Sequence, residues 1–94
     1  MSKNDSGIEL GVTYAGAEHP FKQTYDLGTI LETVKADVMM AFELGESTDA
    51  QGNQTVYRIY RGGERLDDLG QTVEQAATNK HHLQLRLVRE VIAG

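Results

Sequence analysis

Few residues of this chain have the types and spacing that catalysis or metal binding needs. The sequence contains no cysteine, which excludes disulfides, thiolate metal sites and cysteine nucleophiles. His81-His82 precedes a predicted strand, where adjacent side chains point to opposite faces, so the pair does not predict a metal site. Asp67-Asp68 suits a turn, and Gly62-Gly63 lacks the context of a phosphate-binding loop. We therefore predict that the chain is not an enzyme and binds no metal or cofactor.

The remaining stretch that could take part in a reaction is residues 82–94, HLQLRLVREVIAG. Leu83, Leu85 and Leu87 recur every second residue, a period that predicts a core strand. The chain then runs without a linker into Ile-Ala-Gly, so that Gly94 carries the carboxylate of this sequence. Because glycine lacks a Cβ, other groups can approach that carboxylate closely. We expect the domain to present Gly94.

Composition narrows the class of partner. The 94 residues suffice for one small domain with a single core. The net charge of −5 argues against nucleic acid and anionic membrane surfaces and is compatible with basic protein partners. No apolar run has the length needed to cross a bilayer, and the first residues, MSKNDS, are too polar for a secretory signal. We expect a cytoplasmic protein that is monomeric when free.

Alternation of apolar and polar residues predicts most of the strands. Residues 8–14 and 21–26 alternate and are joined by a short loop, which favours an antiparallel hairpin. Residues 55–61 are rich in β-branched and aromatic side chains, and residues 64–66 are long enough for a short strand after a tight turn. The last strand, from residue 83, is expected to lie parallel to the first in the centre of the sheet.

Two local motifs predict helices. The Thr-x-x-Glu motif at residues 29–32 fits a capping box and predicts a helix over residues 30–44, which Gly45 ends. Its apolar residues recur about every four positions, so one face is expected to pack on the sheet. A Thr-x-x-Gln motif at residues 72–75 predicts a single helical turn over residues 73–77.

The second half of the chain resembles ubiquitin. Residues 59–66, IYRGGERL, are similar to ubiquitin's third strand, turn and short fourth strand. Asp67-Asp68 and Thr72-Val73 match the acidic pair and the Thr-Leu pair that follow, with one inserted residue. The leucines of the last strand and Arg89 match ubiquitin's last strand and the start of its tail. The resemblance covers residues 55–94 by motif and the rest by element order.

For the fold, the resemblance implies an α+β, ubiquitin-like β-grasp. It implies a mixed four- to five-stranded sheet with one main helix packed across it. It also divides the chain into a flexible leader (residues 1–7), a β-grasp domain (residues 8–88) and an extended C-terminal tail (residues 89–94).

For function, the resemblance implies a protein modifier. The carboxylate of Gly94 would be adenylated by an activating enzyme that uses ATP and Mg, carried as a thioester by activating and conjugating enzymes, and joined to an amine of a target protein. A deconjugating peptidase is also implied. The residues expected to thread into the activating enzyme are Arg89, Glu90, Val91, Ile92 and Ala93.

Two departures from ubiquitin shape these expectations. Ubiquitin ends in two glycines, whereas a single Gly94 follows Ile92 and Ala93 here, so eukaryotic activating enzymes are not expected to read this tail. The chain is more similar to ubiquitin-like modifiers of bacterial conjugation operons, some linked to defence against phage. The surface patch that receptors bind in ubiquitin is apolar, whereas the matching positions in this chain are mostly polar. The expected partner-binding surface consists of Tyr60, Gln84, Arg86 and Val88.

Two alternatives share the same fold. A β-grasp sulfur carrier would convert the same carboxylate to a thiocarboxylate, although such carriers usually end in two glycines. A non-covalent binding module would use the sheet face or an edge strand and never the terminus. Only the modifier and the sulfur carrier require Gly94 to react.

Overall fold

The computed structural model describes residues 7–77 and 81–94, and the strands in these ranges form one mixed sheet. Its elements are β1 (Gly7–Tyr14), β2 (Phe21–Asp26), α1 (Leu31–Ala41), β3 (Ser47–Thr48), β4 (Gln54–Arg61), β5 (Glu64–Arg65), α2 (Val73–Ala76) and β6 (His82–Ile92). The strand order is β2-β1-β6-β4-β3, and β5 pairs with β4. The predicted α+β class, with one main helix and a mixed sheet, is confirmed.

The last strand occupies the centre of the sheet, as predicted. β6 runs parallel to β1, with Leu85 opposite Val12, and antiparallel to β4, with Leu87 opposite Ile59. β1 and β2 form the predicted antiparallel hairpin. The expected four to five strands become six because β3 lies within residues 45–54, which we predicted to be a loop. Two residues are too few to show an alternating pattern.

The core lies between one face of the sheet and α1. Alternate residues of β6 point into it, and Leu85 is 1% exposed. The buried positions of α1 are spaced three and four residues apart, which places them on one face of the helix. The buried residues are Ile8, Leu10, Val12, Tyr25, Leu31, Val34, Val38, Tyr57, Ile59, Leu66, Val73, Ala76, Leu83, Leu85 and Leu87.

The predicted capping box at the start of α1 is wrong. Ile30 is the N-cap residue, and no side chain caps the helix, so Thr29 and Glu32 do not form the reciprocal pair. Instead, the backbone N–H groups of the first two helical residues donate to the carbonyls of Gln71 and Leu69, each at 2.9 Å. A loop distant in sequence therefore satisfies donors that a local cap would otherwise satisfy.

The C-terminus of α1 also differs from the prediction, because Gly45 does not end it. Glu43 follows the helix in a left-handed conformation, with φ at 58°. The Leu44 N–H donates to the Met39 carbonyl at 2.8 Å, and the Glu43 N–H donates to the Met40 carbonyl at 3.1 Å. These two bonds define a Schellman motif, in which glycine usually holds the position that Glu43 holds here.

The second capping box is confirmed. The Thr72 hydroxyl accepts from the Gln75 N–H at 3.2 Å, and the Gln75 side chain accepts from the Thr72 N–H at 2.9 Å. The single turn of α2 follows, and its Val73 and Ala76 are buried. This motif forms as predicted because its bonds are local.

The structure draws the boundaries of the domain differently at both ends. Gly7 belongs to β1 rather than to the predicted leader, and residues 1–6 of that leader lie outside the described residues. At the other end β6 continues to Ile92, four residues beyond the expected boundary at Val88. Most of the predicted tail is therefore part of the sheet.

Candidate functional site

The candidate site is the C-terminal segment, defined as residues 88–94. Pairing between β6 and β1 ends where Leu87 lies opposite Tyr14. Pairing between β6 and β4 continues until Ile92 lies opposite Gln54. The strand part of the C-terminal segment is thus paired to β4, along one of its two edges. The prediction of a separate tail missed this pairing, because the end of β6 depends on where its partner β4 begins.

The last residues of the C-terminal segment are more exposed than its first residue. Val88 is partly buried, whereas Val91 is 60% exposed and Ile92 is 40% exposed. Ala93 and Gly94 follow β6 and are exposed as well. Two apolar side chains near the end of a strand are therefore accessible to a partner, as the expected threading role requires.

Gly94 contacts the turn of residues 49–53. Its N–H donates to the Asn53 side-chain carbonyl, with Gly94 N and Asn53 Oδ1 3.1 Å apart. The other side of the same amide is held as well, because Asn53 Nδ2 donates to Asp49 Oδ2 at 3.3 Å. Asp49 therefore orients the Asn53 amide so that its oxygen faces Gly94.

Asp49 also organises the turn itself. Its Oδ1 accepts from the backbone N–H groups of Gln51 and Asn53, each at 2.9 Å. Hydrogen bonds to the ionised carboxylate lower the pKa of Asp49, and the backbone bond from Asn53 contributes most. The carboxylate is consequently charged at neutral pH, in the form that holds the turn.

The backbones of Gly52 and Gly94 lie in close contact. A Cβ built on Gly94 would overlap the carbonyl group of Gly52. Gly52 itself has φ at 86°, in the left-handed region that favours glycine. The packing thus gives a local reason for glycine at position 94, independent of any reaction at its carboxylate.

The expected partner-binding surface lies on the sheet face that α1 leaves uncovered. Tyr60 of β4 is directly opposite Arg86 of β6, and the Arg86 guanidinium carbon is 5.2 Å from the centre of the Tyr60 ring. This distance is typical of a cation–π contact. Val88 is on the same face of β6, two residues beyond Arg86, and so is Gln84. The structure therefore brings the four predicted residues onto one face.

Glu90 extends this surface towards the C-terminus. Its Oε1 is 3.3 Å from Arg58 Nε, and its Oε2 accepts from the Tyr60 hydroxyl at 3.4 Å. Glu90 was predicted as a threading residue, but in the structure it joins the C-terminal segment to β4. Arg58 was not predicted to belong to the site, although it lies two residues before Tyr60 in β4 and so points to the same face.

Three other features of the site were not evident from the sequence. A Cβ added to Gly11 of β1 would lie 2.9 Å from Gln84 Oε1, so glycine at that position makes room for Gln84. Arg89 has its side chain exposed and lies opposite Tyr57 in β4. The contact of Asn53 with Gly94 was missed too, since composition indicates a turn at residues 49–53 but not what the turn touches.

Residues 7–77 and 81–94 contain neither a metal-binding cluster nor a membrane-spanning helix. No group of three or more His, Asp or Glu side chains in these ranges could hold a metal ion. His82 Nδ1 instead lies 3.1 Å from Glu9 Oε1. No helix in the described part of the chain is long and apolar enough to cross a membrane.

Comparison with known proteins identifies the fold. No protein-family model matches the chain, and no curated protein matches it. Among solved structures, the chain is similar to the ubiquitin-like domain of tubulin-binding cofactor B, a solution structure. The TM-score is 0.58 at 14% identity, over 88% of this chain and 89% of that chain. The fold is therefore a ubiquitin-like β-grasp, as the sequence resemblance implied.

Proposed function

We propose that this protein is a ubiquitin-like modifier that is joined to target proteins through Gly94. The observation that supports this proposal most is the path of β6 within a ubiquitin-like fold. The strand runs from the centre of the sheet past the end of β1 and delivers the exposed residues 91–94 to one end of the molecule. The C-terminal segment is thus positioned where a partner enzyme could reach it without disturbing the core.

In the proposed reaction the carboxylate of Gly94 attacks the α-phosphate of ATP, and pyrophosphate leaves as the acyl adenylate forms. A cysteine thiolate of the activating enzyme then displaces AMP and gives a thioester, which passes to a cysteine of the conjugating enzyme. Attack by a target amine forms the amide and releases the thiolate. Mg and ATP belong to the activating enzyme, and this chain supplies the carboxylate. A chain that extends beyond residue 94 would first need a peptidase to expose Gly94.

We further propose that the modifier acts in a bacterial conjugation system in the cytoplasm. Its partners there are an activating enzyme, a conjugating enzyme and a deconjugating peptidase. The Ile92-Ala93-Gly94 ending supports a dedicated activating enzyme, since it differs from the double glycine of ubiquitin. The test is to incubate the 94-residue chain with the activating enzyme encoded beside its gene, with ATP and Mg. We expect an adduct that thiols cleave.

The matched control is the chain without Gly94, which should form no adduct. Its core is intact, so its melting temperature should change by a few degrees at most. Absence of a thiol-cleavable adduct with the 94-residue chain, under conditions where the enzyme consumes ATP, would refute the proposed function.

A non-covalent binding module is the second candidate, and the surface formed by Tyr60, Arg86 and Glu90 supports it. An exposed arginine stacked on a tyrosine is typical of protein interfaces. A photo-crosslinking amino acid in place of Gln84 tests this candidate, with the same group in place of Glu32 on α1 as control. A partner captured from position 84 alone, and still captured after Gly94 is deleted, would favour the module over the modifier.

A further inference from the structure

We propose that the turn of residues 49–53 is a clasp for the C-terminal segment, and that the exposed Gly94 enters the active site of a partner enzyme only when this clasp opens. The hydrogen bond from the Gly94 N–H to Asn53 Oδ1, 3.1 Å long, closes the clasp. Control of access to Gly94 rests on the proposed function, whereas the clasp itself does not. A ubiquitin-like fold does not require such a contact, because β4 and β6 already pair through Ile92.

The clasp holds the side-chain amide of Asn53 in one orientation. Asn53 uses its oxygen for Gly94 and its nitrogen for Asp49, which in turn holds the backbone N–H of Asn53 at 2.9 Å. A further backbone bond closes the turn, from the Gly52 N–H to the Asp49 carbonyl at 3.0 Å. The acceptor that faces Gly94 is thus fixed before the C-terminal segment arrives, which lowers the entropy lost on closing.

Steric fit also restricts which residue can occupy position 94 of the closed clasp. The Gly52 carbonyl occupies the space that a side chain at position 94 would need. A larger residue at position 94 would therefore keep the clasp open even with Asn53 intact. Position 94 is consequently restricted to glycine by the clasp as well as by the proposed chemistry, and the two restrictions can be separated experimentally.

The closed state is nevertheless easy to leave. A single hydrogen bond between neutral groups joins Gly94 to Asn53 at an exposed site, and its loss should raise the ratio of open to closed clasp about two- to tenfold. Residues 93 and 94 lie beyond the last paired residue, Ile92. Opening therefore breaks the clasp without unpairing the sheet, so the device can hold Gly94 and still release it.

Backbone order parameters from NMR relaxation of the 94-residue chain test the clasp. In the wild-type chain we expect Gly94 to exceed about 0.6, the value below which a backbone is flexible. Asn53→Ala should bring Gly94 below that value while Leu85, in the middle of β6, stays rigid. The matched control is Gln51→Ala in the same turn, because Gln51 contributes its backbone N–H, and it should behave as wild type.

A flexible Gly94 in the wild-type chain, or an unchanged Gly94 in Asn53→Ala, would overturn the proposal. If Asn53→Ala also loosens Leu85, the variant Gly94→Ala decides, because it acts from the other side of the contact. In that variant, a flexible backbone at position 94 with a rigid Leu85 supports the clasp, and an ordered backbone at position 94 refutes it.

Access to Gly94 has its own readout. With the activating enzyme, Asn53→Ala should form the thioester faster than Gln51→Ala, by at most about tenfold. Equal rates, with different order parameters at Gly94, would show that the clasp exists but does not control access. If no variant forms a thioester, the proposed function fails, and the order parameters still decide whether the clasp exists.

Discussion

Replacing Glu43 by glycine should stabilise this protein. Glu43 follows Phe42, the C-cap residue of α1, with φ at 58°, and its side chain is exposed. The Schellman hydrogen bonds that define the position use backbone atoms, so they survive the substitution. Leu44 and Met39, whose side chains pack against the core, are also unchanged. The substitution therefore alters the conformational preference of one residue and little else.

The expected gain is the difference between two opposing effects. A residue with a Cβ in the left-handed conformation costs roughly 1–2 kcal/mol. Glycine also gives the unfolded chain more freedom, which offsets about 0.4–1 kcal/mol of that gain. The free energy of unfolding should rise by about 0.8 kcal/mol, the difference between the midpoints of these two ranges. For a domain of this size the melting temperature should then rise by about 2–8 °C.

Thermal and urea unfolding followed by circular dichroism measure this change. The matched control is Glu32→Gly, the same exchange in the first turn of α1, where the side chain is also exposed. Glycine within a helix costs about 0.5–1 kcal/mol, so the control should be destabilised. Opposite signs for the two variants support a left-handed Glu43. A loss of stability in both variants would show that the reasoning about the helix end is wrong.

Three further predictions follow from contacts of the sheet. A double-mutant cycle of Arg58→Ala and Glu90→Ala should give a coupling free energy of about 0.2–1 kcal/mol in urea unfolding, because the pair is partly exposed; zero coupling would mean that the ion pair does not stabilise the fold. Glu46 accepts a backbone N–H of β4, which lowers its pKa, so stability should fall as the pH drops below the ordinary glutamate value of about 4.5. Glu46→Gln should make the free energy of unfolding fall less steeply with pH below about 4.5. An unaltered pH dependence would contradict the role assigned to the Glu46 carboxylate. Leu85→Ala should lower the free energy of unfolding by about 2–5 kcal/mol, whereas the exposed Gln84→Ala should change it by less than about 0.5 kcal/mol; similar losses in both would contradict the inward direction of Leu85.

Elements whose pattern is repeated along several residues could be predicted from the sequence. The leucines at alternate positions of β6 predicted its burial, and the hairpin of β1 and β2 was predicted in the same way. The two capping motifs show where such prediction stops. Thr72 and Gln75 cap α2 through bonds within one turn, whereas α1 has its first N–H groups satisfied by Leu69 and Gln71. A motif alone does not reveal whether a distant loop competes with it.

Many residues of the candidate site were predictable from the sequence, but Arg58, Asn53 and the contacts were not. Alternation along β6 places Arg86, Val88 and Glu90 on one face. The structure puts the predicted Tyr60 of β4 opposite Arg86 and adds Arg58 beside it. The length of that register depends on the pairing of two strands that are distant in sequence, and so does the position of residues 49–53 beside Gly94. Such contacts follow from the assembled sheet and from no local pattern.

The parallel pairing of β1 and β6 also determines how the protein responds to force. Because the two strands run in the same direction, Gly7 and Gly94 lie towards opposite ends of the sheet. Pulling on Gly94 against an anchor at Gly7 slides one strand along the other and loads the six paired positions of β1 and β6 together. Bonds that share a load fail together, at higher force than bonds that are peeled apart singly. Force applied between Gly7 and Gly94 must therefore shear the centre of the sheet before this domain unfolds.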